Sequence, residues 1–324
     1  MDLNHNYIIA GDEGYYEVGY YDVITRDDVR YFKTMKDSFS SRLDLSLLRL
    51  TFSKQVNRYI HTPFSFYIYP RLFPHHFNNN KPLVYLFFGQ TQYLYQTSYL
   101  KYLKRRGVKR VLYMQDVVSR NPDLNIEKVR DDFDLILSYD KGDCERYGLE
   151  FYPTPYSCYP VEDNPNIKPI DVYYCGHAKS RYPTIFEVYC KCKEKGLTCK
   201  FFITAVPKDK RIGSVDNEIV YGKQLTYLEN LQYVQKAKCI LEVMQVNADG
   251  FTPRLWESII YDRHLLTNNV ALKESPYYIP GSMHNFAEIE NIQQWINEPL
   301  TIDQNRKDAL SPINLLKKID DLLK

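Results

Sequence analysis

No apolar run in this chain reaches the ~18–20 residues that a membrane span needs. The opening stretch, MDLNHNYIIAGDEG, has no basic region followed by an apolar core, so no signal peptide is expected there. The 7 cysteines (Cys144, Cys158, Cys175, Cys190, Cys192, Cys199 and Cys239) include no CxxC pair, and their number is odd. That argues against a zinc ribbon or a thioredoxin-type redox site. Buried free thiols in a reducing cytoplasm are the simplest account. His75 and His76 have no partner at helical metal spacing, and no DxD pair is flanked by apolar strand residues. Neither a metal nor another cofactor is expected. Charge is nearly balanced, a net +2 over 324 residues, so nothing global draws the chain to nucleic acid.

Tyrosine, by contrast, is abundant at 30 residues. It suits wet clefts that stack and hydrogen-bond polar ligands, although drift in an AT-rich genome is the plainer account. The length accommodates two domains with their own cores. The first half alternates strand and helix. Strands are expected at Tyr7 to Ala10, Leu83 to Phe88, Arg110 to Met114 and Leu135 to Ser138. Helices are expected at Asp44 to Ile60, at Tyr93 to Arg106 closed by Gly107, and after Asp140 as N-cap. Continuous apolar strands between helices predict a parallel sheet covered on both faces.

Residues 153 to 169, PTPYSCYPVEDNPNIKP, hold five prolines and read as an interdomain linker. The alternation then restarts. Strands are expected at Asp171 to Cys175, Cys199 to Thr204, Glu218 to Val220, Cys239 to Met244 and Leu265 to Thr267. A helix runs from Tyr182 to Lys195, and Thr226 with Glu229 forms a capping box for another. A short helix is expected from Ile289 to Ile296, and a terminal amphipathic helix follows Ser311-Pro312. The fold class is therefore α/β with two consecutive Rossmann-like halves, residues 1–160 and 161–324. The last helix is the segment able to pack back on the first half. Ligands in such sheets sit at the carboxyl ends of strands.

The segment GFTPRLWESIIYDRHLLTNN, Gly250 to Asn269, is the most informative. Thr252 is a good N-cap and Pro253 suits the first helical position. Arg254 and Glu257, three apart, share one face of an amphipathic helix. The free amides and positive end of such a helix attract phosphate. A Glu one turn deeper is placed to accept hydrogen bonds from sugar hydroxyls. The plainer alternative is ordinary capping plus an Arg254–Glu257 ion pair.

Four segments taken together carry a family resemblance: DLILSYDKGDCERYGLEFYP (Asp134 to Pro153), DVYYCGHAKSRY (Asp171 to Tyr182), YLENLQYVQKAKCILEVMQ (Tyr227 to Gln245) and the Gly250 segment. With PLVYLFFG and VLYMQDVVS they span most of residues 81–270. The chain resembles GT-B-type glycosyltransferases of bacterial lipopolysaccharide and capsule clusters. The resemblance implies two Rossmann-like domains facing across a cleft. The C-terminal domain would grip a nucleoside-diphosphate sugar, and the N-terminal one a saccharide or lipid-linked acceptor.

On that basis the donor would be held by Thr252, Pro253, Arg254 and Glu257, with Gly176, Lys179 and Arg181 of the GHAKSRY loop. Gly176 would let a ligand approach the backbone, and the two cations would meet the diphosphate leaving group without metal. An exposed basic loop is the plainer account. Gly250 stands seven positions before Glu257, where retaining relatives carry a second acidic residue, and Asp249 is one further. If the reaction inverts, Asp116 or Asp12, each after an N-terminal strand, would deprotonate the acceptor; a loop carboxylate is the plainer role for both. Six basic residues between Lys101 and Arg110, interleaved with Tyr102 and Leu103, offer a patch for anionic lipid, or else a solvated helix end. The expectation is a cytoplasmic glycosyltransferase, peripheral at the membrane if that patch docks. A polyol-phosphate transferase or a non-catalytic sugar-nucleotide-binding protein would suit the same scaffold.

Overall fold

The computed structural model describes residues 2–11, 14–59, 63–89, 97–118, 125–213, 217–244 and 250–324. The chain divides into two compact units. One comprises Met1–Ser157 with Leu310–Lys324, the other Cys158–Ala309.

The first unit is built on β1 (Asn6–Ala10), β2 (Val29–Phe32), β3 (Leu83–Phe88), β4 (Lys109–Met114), β5 (Leu135–Ser138) and β6 (Glu150–Phe151), in the order β2-β1-β3-β4-β5-β6. Every pairing is parallel, for example Tyr7 opposite Val84 and Phe88 opposite Tyr113. Side chains alternate across this sheet. Ile8, Ala10, Tyr85, Phe87, Leu112 and Met114 face a layer containing helices Arg42–Phe52, Ser65–Ile68 and Thr97–Arg105. Tyr7, Ile9, Leu86, Phe88 and Val111 face helices Gly14–Gly19, Tyr21–Ile24 and Pro312–Leu322. Burial on both faces is why the strands read as unbroken apolar runs.

The C-terminal helix is fastened to β1 by one carboxylate. Asp320 accepts from Tyr7 Oη at 2.6 Å, contacts His5 Nδ1 at 2.7 Å and accepts from the backbone N–H of Asn4. The single helix expected from Asp44 to Ile60 is two, Arg42–Phe52 and Lys54–Tyr59. Ser53 between them is extended, and its hydroxyl accepts from Val56 N at 3.2 Å. Serine competes with the helical ladder in this way.

The second unit holds β7 (Ile170–His177), β8 (Cys199–Thr204), β9 (Ile219–Tyr221), β10 (Ala237–Glu242), β11 (His264–Thr267) and β12 (Met283–Asn285). Their order is β12-β11-β10-β7-β8-β9, again all parallel. Read from β9, this is the doubly wound 3-2-1-4-5-6 arrangement. The winding reverses between β7 and β10, so the loops after those strands part at their carboxyl ends. The Thr226 capping box is present in full. Short strands β2, β6 and β12 add to those expected from apolar runs.

Candidate functional site

The reversal point of the second sheet is framed by Cys175-Gly176-His177 at the end of β7 and Glu242 at the end of β10. The helix Pro253–Ile260 begins beside it. Thr252 is its N-cap: the backbone is extended and Oγ1 accepts from Arg254 N at 3.3 Å. Pro253 occupies the first turn. The amides expected to be free here are largely occupied. Proline has none, Arg254 N is capped by Thr252, and Leu255 N bonds the Thr252 carbonyl at 3.1 Å. Attraction for an anion at this point therefore falls to side chains.

The helix is amphipathic in sequence, as expected, but its polar face is covered as well: Leu255, Trp256, Glu257, Ser258, Ile259 and Ile260 are all buried. Trp256 anchors it, edge-on to Phe251 and Tyr277 with centroids 5.9 and 4.8 Å away.

Glu257 is 3% exposed. Its Oε1 accepts from Tyr227 Oη at 2.8 Å and from Asn230 Nδ2 at 3.0 Å. Asn230 Oδ1 in turn accepts from Tyr173 Oη at 2.9 Å. Burial pushes the Glu257 carboxyl up to about 7, against the opposing pull of Arg254 and of these two hydrogen bonds. The Arg254–Glu257 ion pair of the plainer account does not form; both residues spend their contacts elsewhere.

Arg254 donates from Nη2 to the Cys175 carbonyl, and its guanidinium carbon lies 5.5 Å from the Tyr174 ring centroid. A Cβ on Gly176 would come within 2.7 Å of that same Nη2 and 3.1 Å of Tyr174 Oη. What closes on the Gly176 backbone is thus the Arg254 side chain, and a larger residue would push it away. Arg181 does not project freely. Its Nη1 donates to the Val243 carbonyl at 2.6 Å and its Nη2 to the His177 carbonyl, while Nε is buried without a partner. It ties together the ends of β7 and β10. Burial lowers its pKa, and the charge of Arg254 adds to that effect against the opposing influence of Tyr174. Lys179 is exposed, in no ion pair among the described residues, and held at a left-handed φ of 47°, a costly backbone for lysine.

Sequence reasoning missed Glu242, Tyr227, Asn230 and Tyr174. Glu242 is 1% exposed and accepts from the hydroxyls of Thr252 and Thr267, the latter at 2.6 Å. An acid inside the apolar run CILEVM was a usable signal, because a buried carboxylate needs dedicated donors. The i,i+3 spacing of Tyr227 and Asn230 was another. Gly250 is tied by its carbonyl to Asn269 Nδ2 at 3.2 Å. Asp249 lies outside the described residues.

In the first unit, Asp12 lies outside the described residues. Asp116 is half-buried after β4, and its Oδ1 accepts from the N–H of Val117 at 2.9 Å. Nearby Asp143 is buried, accepts from Val118 N at 2.7 Å, and has its pKa raised by burial with Asp140 and Asp116 adding. The basic stretch at 101–110 also needs correction. Arg110 is 1% exposed and paired to Asp134 at 2.6 Å, and Leu103 is buried in the core. Tyr102 packs with Tyr99 and Tyr69 at centroid distances of 6.2 and 5.6 Å. The apolar side of that helix is used inside the unit; Lys101, Lys104, Arg105 and Arg106 remain exposed.

No protein-family profile and no curated protein matches the sequence. Solved structures do match in shape. UDP-GlcNAc 2-epimerase from Methanocaldococcus jannaschii is 11% identical with a TM-score of 0.51, covering 98% of both chains. An alpha-glucosyltransferase in complex with UDP and a 13-mer DNA containing a HMU base is 12% identical with a TM-score of 0.55, covering 98% of this chain and 92% of that one. In complex with UDP and a mismatched 13-mer DNA, an alpha-glucosyltransferase gives 12% and 0.53, covering 98% and 93%. At such identities the likeness speaks to fold. The two all-parallel six-stranded sheets and these matches give the chain the α/β, two-Rossmann architecture of the GT-B fold.

Proposed function

We propose that the protein is a glycosyltransferase that takes its sugar from a nucleoside diphosphate held at the β7/β10 reversal point, with UDP the first nucleotide to try. The observation that carries this reading is Glu257. A buried carboxylate is fixed through one oxygen by Tyr227 and Asn230, and no described residue bonds its other oxygen, Oε2. Ribose hydroxyls would donate to that oxygen. The diphosphate would meet the remaining N–H groups of Arg254 and the Lys179 ammonium, charges that stabilise a departing diphosphate without a metal. Arg181 would brace the site rather than touch the ligand. Asp116 or Asp12 would take the acceptor proton in an inverting reaction. The acceptor would be a saccharide or lipid-linked glycan of a bacterial surface polysaccharide, as the resemblance implies.

Isothermal titration with UDP, GDP and CDP tests the donor half. One of them should bind, and Glu257→Ala should weaken it by ~1–3 kcal/mol without unfolding. Absence of binding by all three, to protein shown to be folded, removes the reading. Product mass tests the chemistry. A hexose increment on the acceptor supports transfer, whereas an isomerised donor sugar, a phosphodiester increment or an untouched donor points to an epimerase, a polyol-phosphate transferase or a binding protein.

A further inference from the structure

The helical layer over one face of the first sheet has an unusual outer surface. Helix Arg42–Phe52 packs Leu45, Leu47, Leu48 and Phe52 inward. Arg42, Leu43, Ser46, Arg49 and Leu50 form its exposed stripe. Two leucines seven apart, each preceded by an arginine, therefore point outward, Leu43 being 69% exposed. Phe66, 76% exposed, stands on the neighbouring helix, which is bonded to the first by Tyr67 Oη and Asp44 at 3.0 Å. Helix Thr97–Arg105 joins this layer through a shared aromatic cluster. Phe52 meets Tyr99 at 6.0 Å and Tyr69 Oη contacts Ser98 Oγ at 2.7 Å.

Charge is concentrated on these segments. Residues 42–71 carry five basic side chains against one acid, and residues 97–106 four against none, in a chain whose net charge is only +2. None of Arg42, Arg49, Lys101, Lys104, Arg105 and Arg106 is in an ion pair among the described residues. Exposed leucine and phenylalanine offer nucleic acid no hydrogen bonds. Interleaved with unpaired cations on a helix lying flat on its unit, they match the interfacial pattern of a surface that sits on anionic lipid.

We propose that the outer surface of this layer docks on an anionic bilayer. Leu43, Leu50 and Phe66 enter the headgroup region, and the cations of the two longer helices meet lipid phosphates. The proposal goes beyond the nucleotide reading and stands or falls separately from it. It replaces the apolar residues expected from the sequence, Tyr102 and Leu103, and removes Arg110 from the contact.

The test is co-sedimentation of the full chain with phosphatidylcholine vesicles, plain or with about 30% phosphatidylglycerol, at about 0.1 M salt. Binding should require the anionic lipid. Leu43→Ser with Leu50→Ser should lower partitioning about tenfold or more. Lys101→Gln with Lys104→Gln should lower it about 25-fold, roughly fivefold per cation. Both double variants should melt as the wild type does, and their nucleotide titrations should match it. No binding to anionic vesicles, equal binding to plain ones, or full binding by either double variant overturns the proposal. So does release from vesicles by a DNA duplex with the leucine pair irrelevant to DNA capture, which would make the face a nucleic-acid surface.

Discussion

Replacing Glu257 by glutamine should make the protein more stable and a worse binder at the same pH. The carboxyl is raised from its ordinary 4.5 to about 7 because burial disfavours its charge. Between those two values the folded chain holds a proton that the unfolded chain has released. The stabilisation from this group is therefore complete below about pH 4.5 and is lost as pH rises through about 7. At about 1.4 kcal/mol per tenfold change in proton affinity, the loss is about 3 kcal/mol. Glutamine keeps the shape and an acceptor for Tyr227 and Asn230 but never ionises. Glu257→Gln and wild type should thus have similar stability near pH 4.5, and the variant should lead by about 3 kcal/mol at pH 8. Urea unfolding followed by circular dichroism at several pH values measures the gap, and the variant isolates this group from all others. The binding half runs the opposite way. Ribose hydroxyls favour the ionised carboxylate, so nucleotide binding at pH 6 should release up to about one proton, visible as a buffer-dependent heat. Stability profiles that stay parallel from pH 4.5 to 8 would refute the argument about burial, whatever the binding does.

Three further outcomes follow from the same geometry. Gly176→Ala should displace the Arg254 guanidinium, which can swing aside, so the melting temperature should hold to within a few degrees while nucleotide affinity in titration falls about tenfold or more. Lys179→Gly relieves a left-handed backbone; thermal melting should show a gain of up to about 1 kcal/mol, partly offset by chain entropy, and titration a loss of affinity. Asp320→Ala strips Tyr7, His5 and Asn4 of their shared acceptor, so the first unit should lose about 2–4 kcal/mol, and limited proteolysis should remove the C-terminal helix first.

Much of the architecture was legible from residue order because it rests on local rules. Leu83–Phe88, Leu135–Ser138 and Cys199–Thr204 are strands with the bounds their apolar runs predict. Asp140, Thr226 and Thr252 cap the helices they precede, since a cap needs only its own side chain and amides two or three residues on. Ser53 failed as a helical residue for an equally local reason, which the Leu periodicity around it concealed.

Tertiary structure alone decided what those residues do. Glu257 and Arg254, three apart on one helix, do not pair. Tyr227 and Asn230, some thirty positions upstream, claim the carboxylate, and the Cys175 carbonyl claims the guanidinium. Arg110 reads as the end of a basic run, yet the sheet buries it against Asp134. Leu43 and Leu50 are as apolar as the leucines of their helix that pack inward, yet the layer leaves them outside. Residue order thus determined the strands, the caps and the parallel sheets, because propensity and periodicity act over a few residues. Which charges meet, and which apolar groups stay in water, depended on partners that only the packed chain brings within reach, because desolvation and ion pairing depend on distance in space.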